Sequence, residues 1–221
     1  MTATAKRARK NIKEDQLVTT AVRASEWAQE HFNQVIIGIV ALVAAVAVLV
    51  FVANSRENNA REAERMMGSA MMLMQQGDLN AARTSFEQIY QRQGGEYAVA
   101  ARFFKAECEL GMGNFTRAAA DYEAYLARKD DYPVFAASAA VGRALAYEGA
   151  EQWPDAARAA AEAVNALGKD DPRYHDAAYR AGYCYERAGD TKEALTYYRI
   201  AADGATGSLR DRARYAVTAL E

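Results

Sequence analysis

Chemistry at a protein site needs nucleophiles, acid–base groups or metal ligands at workable spacing, and this chain of 221 residues offers few. Its two histidines are His31 and His175, and neither has a second histidine or a cysteine nearby at metal-binding spacing. Both read as surface groups. The two cysteines, Cys108 and Cys184, are too few for a disulfide framework. No motif of covalent, acid–base or phosphate-transfer catalysis is recognisable, so the chain reads as a non-enzyme with no cofactor, no metal and no small-molecule substrate. A basic cluster, Lys6, Arg7, Arg9, Lys10 and Lys13, could serve as a nucleic-acid arm. The overall balance of 27 basic and 29 acidic residues argues against nucleic acid as a partner. Beside an apolar run, such a cluster is more simply a topology signal or an attraction to anionic lipid.

The elements that carry these residues are helical. Alanine is abundant, Ile and Thr are sparse, and there are only three prolines, a composition that favours an all-α chain over any sheet. From Val35 to Ala53 the chain runs 19 residues without a charge, amide or hydroxyl. At ~1.5 Å per residue this covers roughly 28 Å, about the thickness of bilayer hydrocarbon. It predicts a transmembrane helix over 35–53. Because 34 residues precede it, the run reads as a signal anchor rather than a cleaved signal peptide. Six basic residues in the N-terminal flank, against Arg56, Arg61 and Arg65 after the span, place the N-terminus in the cytosol.

Residues 1–34 then form a cytosolic basic tail and an amphipathic interfacial stretch, with Leu17, Val18, Ala21, Ala28 and Phe32 near one face and Trp27 and Phe32 at headgroup level. Residues 54–62 form a polar helical connector. No proline precedes Pro133, so a largely continuous helix is expected from the interface into the soluble part.

After residue 60, amphipathic helix, short turn and amphipathic helix recur. Taking Gly77, Gly113, Glu151 and Gly189 as equivalent gives spacings of 36, 38 and 38 residues, the period of stacked helical hairpins. Two helices joined by a short turn approach closely only where side chains are small. Ala70, Ala106, Ala144 and Gly182 supply that site on the first helix, and Ala82, Ala118, Ala156 and Ala194 on the second. Larger groups follow: Leu73, Tyr147 and Tyr185 after the first, and Phe86, Tyr122 and Tyr198 after the second. Gly77-Asp78, Gly113-Asn114 and Gly189-Asp190 are expected to stop one helix and cap the next. Cys108 and Cys184 hold equivalent positions two repeats apart, too far for a disulfide, and read as small core residues.

These residues resemble the tetratricopeptide repeat, with its W-x2-L-G-x2-Y, A-x3-F and P pattern. The fourth copy fits best, as Ala178-x2-Ala181-Gly182-x2-Tyr185 followed by Ala194-x3-Tyr198. The third has Ala160 where an aromatic is expected. The second sets Arg102, Lys105 and Glu109 on apolar sites, unless its register slips to Phe103, Ala106 and Leu110. The resemblance implies a tetratricopeptide-type α-solenoid over 63–207, in hairpins of about 63–96, 97–133, 134–171 and 172–207. Residues 208–221 read as a capping helix with Ser208 as N-cap and an apolar face of Leu209, Ala213, Ala216, Val217 and Leu220.

In such a stack the first helices line a concave groove. Met67, Met71, Met74, Phe103, Leu110, Val141, Leu145, Tyr179 and Tyr183 are then the candidate partner-binding residues. Met66, Met67, Met71, Met72 and Met74 crowd into one helix, and soft side chains suit a surface that accepts varied peptides. The same methionines could instead pack against the next hairpin. No charged clamp for a peptide C-terminus is evident.

The layout as a whole, a basic tail, one span near residue 40 and divergent repeats to the end, resembles the bacterial ancillary subunit of the Sec translocon. The resemblance implies a single-pass inner-membrane protein with a periplasmic repeat domain, a non-catalytic scaffold contacting the lipid bilayer, the translocon and periplasmic chaperones or clients. The other reading is a permanent structural accessory subunit of another membrane complex.

Overall fold

The computed structural model describes residues 31–130 and 132–221, and among these there are helices and no strand. The basic cluster and the expected interfacial stretch up to Glu30 lie outside the described residues. Helix α1 runs from Phe32 to Gln75, 44 residues without a break, as expected where proline is absent. The chain divides into two compact units at Asn58/Asn59. In the first unit the apolar side chains of α1 face outward along its length, with Ile37 67%, Leu49 69% and Phe51 72% exposed. By length and composition this helix can cross a membrane.

The second unit begins with the last turns of α1, where Ala63 and Ala70 are buried. It continues through α2 (Leu79–Arg92), α3 (Gly95–Gly111), α4 (Phe115–Leu126) and a 3₁₀ turn (Pro133–Phe135). Then follow α5 (Ala136–Gly149), α6 (Trp153–Leu167), α7 (Tyr174–Arg187), α8 (Thr191–Gly204) and α9 (Gly207–Leu220). From α2 onward each helix packs on the next, while α3 also touches α5 and α7 touches α9, the alternation of an α-solenoid. Helix α3 starts two residues before the expected boundary at residue 97. Helix α9 starts at Gly207 behind Thr206, so Ser208 lies inside the helix and is not its cap.

Each hairpin turns by one backbone device. Asp78 N–H donates to Leu73 O and Gly77 N–H to Met74 O. The same pair of bonds recurs from Asn114 and Gly113, from Gln152 and Glu151, and from Asp190 and Gly189. This is the Schellman closure, which needs a left-handed residue at its centre. Gly77, Gly113 and Gly189 supply it with φ of 82°, 76° and 85°. In the third hairpin Glu151 takes the position at φ 57°, alone among non-glycine residues described. Side-chain capping is less uniform than expected. Asp78 accepts from Ala81 N–H and Asp190 from Glu193 N–H, whereas Asn114 turns away and donates to Glu109 Oε2.

The hairpins meet where bulk is missing. Ala70, Ala82, Ala106, Ala118, Ala144, Ala156 and Ala194 are at most 2% exposed, and Gly182 is buried with them. The larger partners close over these gaps. A Cβ on Gly182 would lie 2.7 Å from the Tyr198 ring, and one on Gly142 would lie 2.3 Å from Tyr122 Cζ. A second interlock is absent from the repeat pattern. In the first two hairpins the first residue of the second helix laps onto the next hairpin, Leu79 onto Gly111 and Phe115 onto Gly149, at 3.0 and 2.6 Å from the would-be Cβ atoms. Trp153 does the same under the Arg187 guanidinium, 4.7 Å from its ring.

Gly142→Ala is expected to cost about 1–3 kcal/mol through overpacking against Tyr122. Gly68→Ala, helical and with nothing within 4 Å of its Cβ, should instead gain about 0.5–1 kcal/mol. Urea unfolding of the two variants checks the contrast. Glu151→Gly is expected to stabilise by roughly 1 kcal/mol by relieving the left-handed cost at that turn, read in the same assay.

Candidate protein-binding site

The methionines of α1 are mostly turned inward. Met66, Met67, Met71 and Met74 pack against the core of Ala70, Ala82, Phe86, Ile89, Ala101 and Cys108, and Met72 stands out at 60% exposed. Their unbranched side chains fill gaps along the first hairpin. Phe103 requires a correction: it is 5% exposed and is not a groove residue. It stacks on Phe135 at 4.5 Å and meets Phe104 edge-on at 5.2 Å, in a ring cluster closed by Tyr122 and Tyr125. Leu110 is half-buried against the same cluster.

Both registers weighed for the second hairpin turn out to be used, because α3 has neighbours on two sides. Phe103 and Ala106 enter the apolar core, while the polar set forms ion pairs. Lys105 Nζ lies 2.7 Å from Glu87 and 3.2 Å from Asp121, and Arg102 covers the Tyr90 ring at 4.0 Å. The Lys105 hydrogen bond holds the Glu87 carboxyl below its ordinary value. Glu109, fully buried, accepts from Asn114 at 2.7 Å and has Arg117 at 3.4 Å and Arg83 at 3.7 Å. Buried charges of this kind persist only when paired. The charges are met within the cluster, Lys105 by Glu87 and Asp121, and Glu109 by Arg83 and Arg117.

The remaining groove candidates lie toward the C-terminal end. Leu145 is half-buried. Val141 lines a small cavity of about 80 Å³ between α5, α6 and α7. Tyr179 and Tyr183 come together on α7 and line two adjoining concavities, of about 300 Å³ with Glu148, Asp176, Arg180 and Arg212, and of about 420 Å³ with Glu186, Asp211 and Tyr215. Arg180 donates to Glu148 at 2.8 Å, and the Arg212 guanidinium lies 5.1 Å from the centre of the Tyr179 ring. Tyr183 is fixed edge-on by Trp153 at 5.9 Å. Tyrosine faces with a few charged groups around them suit recognition of another polypeptide. Sequence reasoning missed Arg212 and Tyr215, although their spacing of three places them on one face of α9.

His175 is half-buried and not a plain surface group, since its Nε2 lies 1.9 Å from where a Cβ on Gly204 would sit. Cys108 and Cys184 are free and fully buried. Burial pushes their thiols up to about 11 and about 12, which removes the thiolate that nucleophilic or metal chemistry needs. Among the described residues no group of three or more His, Cys, Asp or Glu is placed to hold a metal ion.

A sequence model of the tetratricopeptide repeat matches residues 68–133 and 141–208, more than half of the chain. Comparison with curated proteins gives no match. Among solved structures, the chain is similar to the nearly identical TPR-like repeats of a putative kinesin light chain from Podosopora anserina, and to a single-substitution form of them. Both align at a TM-score of 0.55 and 15% identity, covering 71% of this chain and 84% of theirs, a likeness of fold.

In the native protein at pH 8, Ellman's reagent is expected to leave both thiols unmodified over minutes and to titrate both once urea unfolds the chain. Rapid modification of either thiol in the native state would contradict the burial described.

Proposed function

The chain belongs to the tetratricopeptide repeat family, and we propose that it is a membrane-anchored, non-catalytic scaffold that presents its repeats to other proteins. The family supports the interaction role, because stacked hairpins expose extended surfaces without catalytic groups. The observation that carries the anchor is the uninterrupted run of outward-facing apolar side chains on α1 between Ile36 and Val52. In water such a surface is unfavourable at about 25 cal/mol per Å², whereas bilayer hydrocarbon accepts it.

In this reading residues 35–53 span the inner membrane once, with the N-terminus cytoplasmic and the repeats periplasmic. The basic excess before the span supports that orientation. The layout of tail, span and divergent repeats supports an ancillary role beside the Sec translocon and periplasmic chaperones. Partner contact is assigned to the tyrosine-lined surface of α7 and α9, around Tyr179, Tyr183 and Tyr215. A permanent accessory subunit of another membrane complex would share the anchor but would hold one fixed set of partners.

Alkaline carbonate should leave the protein in the membrane pellet, and protease added to sealed spheroplasts should digest the repeats while sparing the N-terminal tail. Release into the supernatant would overturn the anchor, and protection of the repeats would overturn the orientation. Gentle solubilisation followed by mass spectrometry should recover varied, substoichiometric clients. A single stoichiometric set would favour the accessory subunit. Tyr183→Glu is expected to reduce partner capture at least tenfold while circular dichroism stays unchanged.

A further inference from the structure

The third hairpin is the one whose second helix has no aromatic at the position filled by Phe86, Tyr122 and Tyr198, and Ala160 stands there instead. In the earlier hairpins that ring closes onto the next hairpin: Phe86 stacks on Phe104 at 5.4 Å, and Tyr122 covers Gly142. The partner at the corresponding place on α7 is Arg180, whose guanidinium is drawn aside to Glu148. What is left is the cavity of about 80 Å³, with Val141, Ala144, Ala160, Ala163 and Ala177 as its apolar walls and Asp176, Arg180 and the Asp171-paired Arg173 on its polar side. A dry apolar cavity of about 150 Å³ accepts benzene, so this space suits a branched aliphatic chain better than a ring.

The cavity is not sealed off from the groove. Asp176 and Arg180 line both the cavity and the neighbouring concavity that holds Tyr179 and Tyr183. The charge is unequal over the two adjoining concavities taken together, Asp176 lining the first and Glu186 and Asp211 the second. Arg180 is neutralised by Glu148, and Arg212 lies against the Tyr179 ring. Asp176, Glu186 and Asp211 have no ion-pair partner among the described residues, although Glu186 accepts a hydrogen bond from the Tyr198 hydroxyl. Three carboxylates facing one uncompensated guanidinium favour a basic ligand.

We propose that the cavity between the third and fourth hairpins receives one leucine- or isoleucine-like side chain of an extended polypeptide, while a nearby lysine or arginine of that segment meets Asp176 and its neighbouring carboxylates. This rests on the groove reading above and narrows it to a ligand chemistry. The aliphatic side chain supplies apolar burial, and the basic residue sets direction and register along the tyrosine faces.

The test is selection of twelve-residue random peptides on phage against the full chain in detergent micelles, followed by affinity measurement on synthetic versions of the enriched peptides. Enrichment of Leu or Ile within a few positions of Lys or Arg is expected. Ala160→Leu, which fills the cavity with an aliphatic group of the chain's own, should then weaken binding roughly tenfold or more while raising or preserving thermal stability. Should that variant fold poorly, Ala163→Leu intrudes on the same space and should give the same loss. Peptides that bind with no aliphatic preference, or with affinity unchanged by either variant, would overturn the cavity proposal and leave the groove reading standing. Absence of any groove-dependent binder, judged by loss with Tyr183→Glu, would overturn both.

Discussion

Helices in this stack approach one another only where one side of the contact has almost no side chain, and the rest of the architecture depends on that. Alanine or glycine at a fixed place on each helix lets the neighbouring backbone come close. A ring or a long aliphatic group from the adjoining turn then fills the space beside it. The contact at Gly142 illustrates the tolerance, since the Tyr122 ring occupies the volume of a missing methyl group. Interiors packed to crystal-like density cannot absorb an added carbon without displacement. The period of the chain therefore follows from packing, and the turns follow from the period.

The second hairpin shows how the same frame admits charge. Helix α3 is enclosed by α2, α4 and α5, so it buries more of its circumference than a helix at the end of the stack. Apolar side chains cover one part of that surface, and the Lys105 and Glu109 clusters cover another, each charge met by partners from neighbouring helices. A buried ion pair adds little net stability relative to an apolar pair of the same size, but removing one partner is costly. These clusters tie the first two hairpins to one relative alignment.

The hairpin fold was legible because its signal is repeated. Small residues at Ala70, Ala106, Ala144 and Gly182, and a turn at Gly77, Gly113, Glu151 and Gly189, supply several independent readings of one geometry, so that even a glutamate in a glycine position could be placed. The surface was harder to read because it has no such redundancy. Phe103 and Tyr179 look alike in a helical pattern. One is sealed under Phe135 by a 3₁₀ turn, and the other is left open beside α9, and both outcomes depend on segments distant in sequence. The methionines of α1 belong to the same difficulty, since flexible side chains fit a core gap and an open face equally well.

The lapping series Leu79, Phe115 and Trp153 ends at Thr191, the first residue of α8, which has a short polar side chain at the place where its predecessors carry bulk. The array is thus directional in the sense of a row of overlapping roof tiles, each held by the one before it, with a last tile that lacks the overhanging edge. A duplicate of the second hairpin inserted beside it would find both the lap and its receiving glycine already provided. One placed directly after α8 would meet the short side chain of Thr191 where the earlier hairpins present a bulky one.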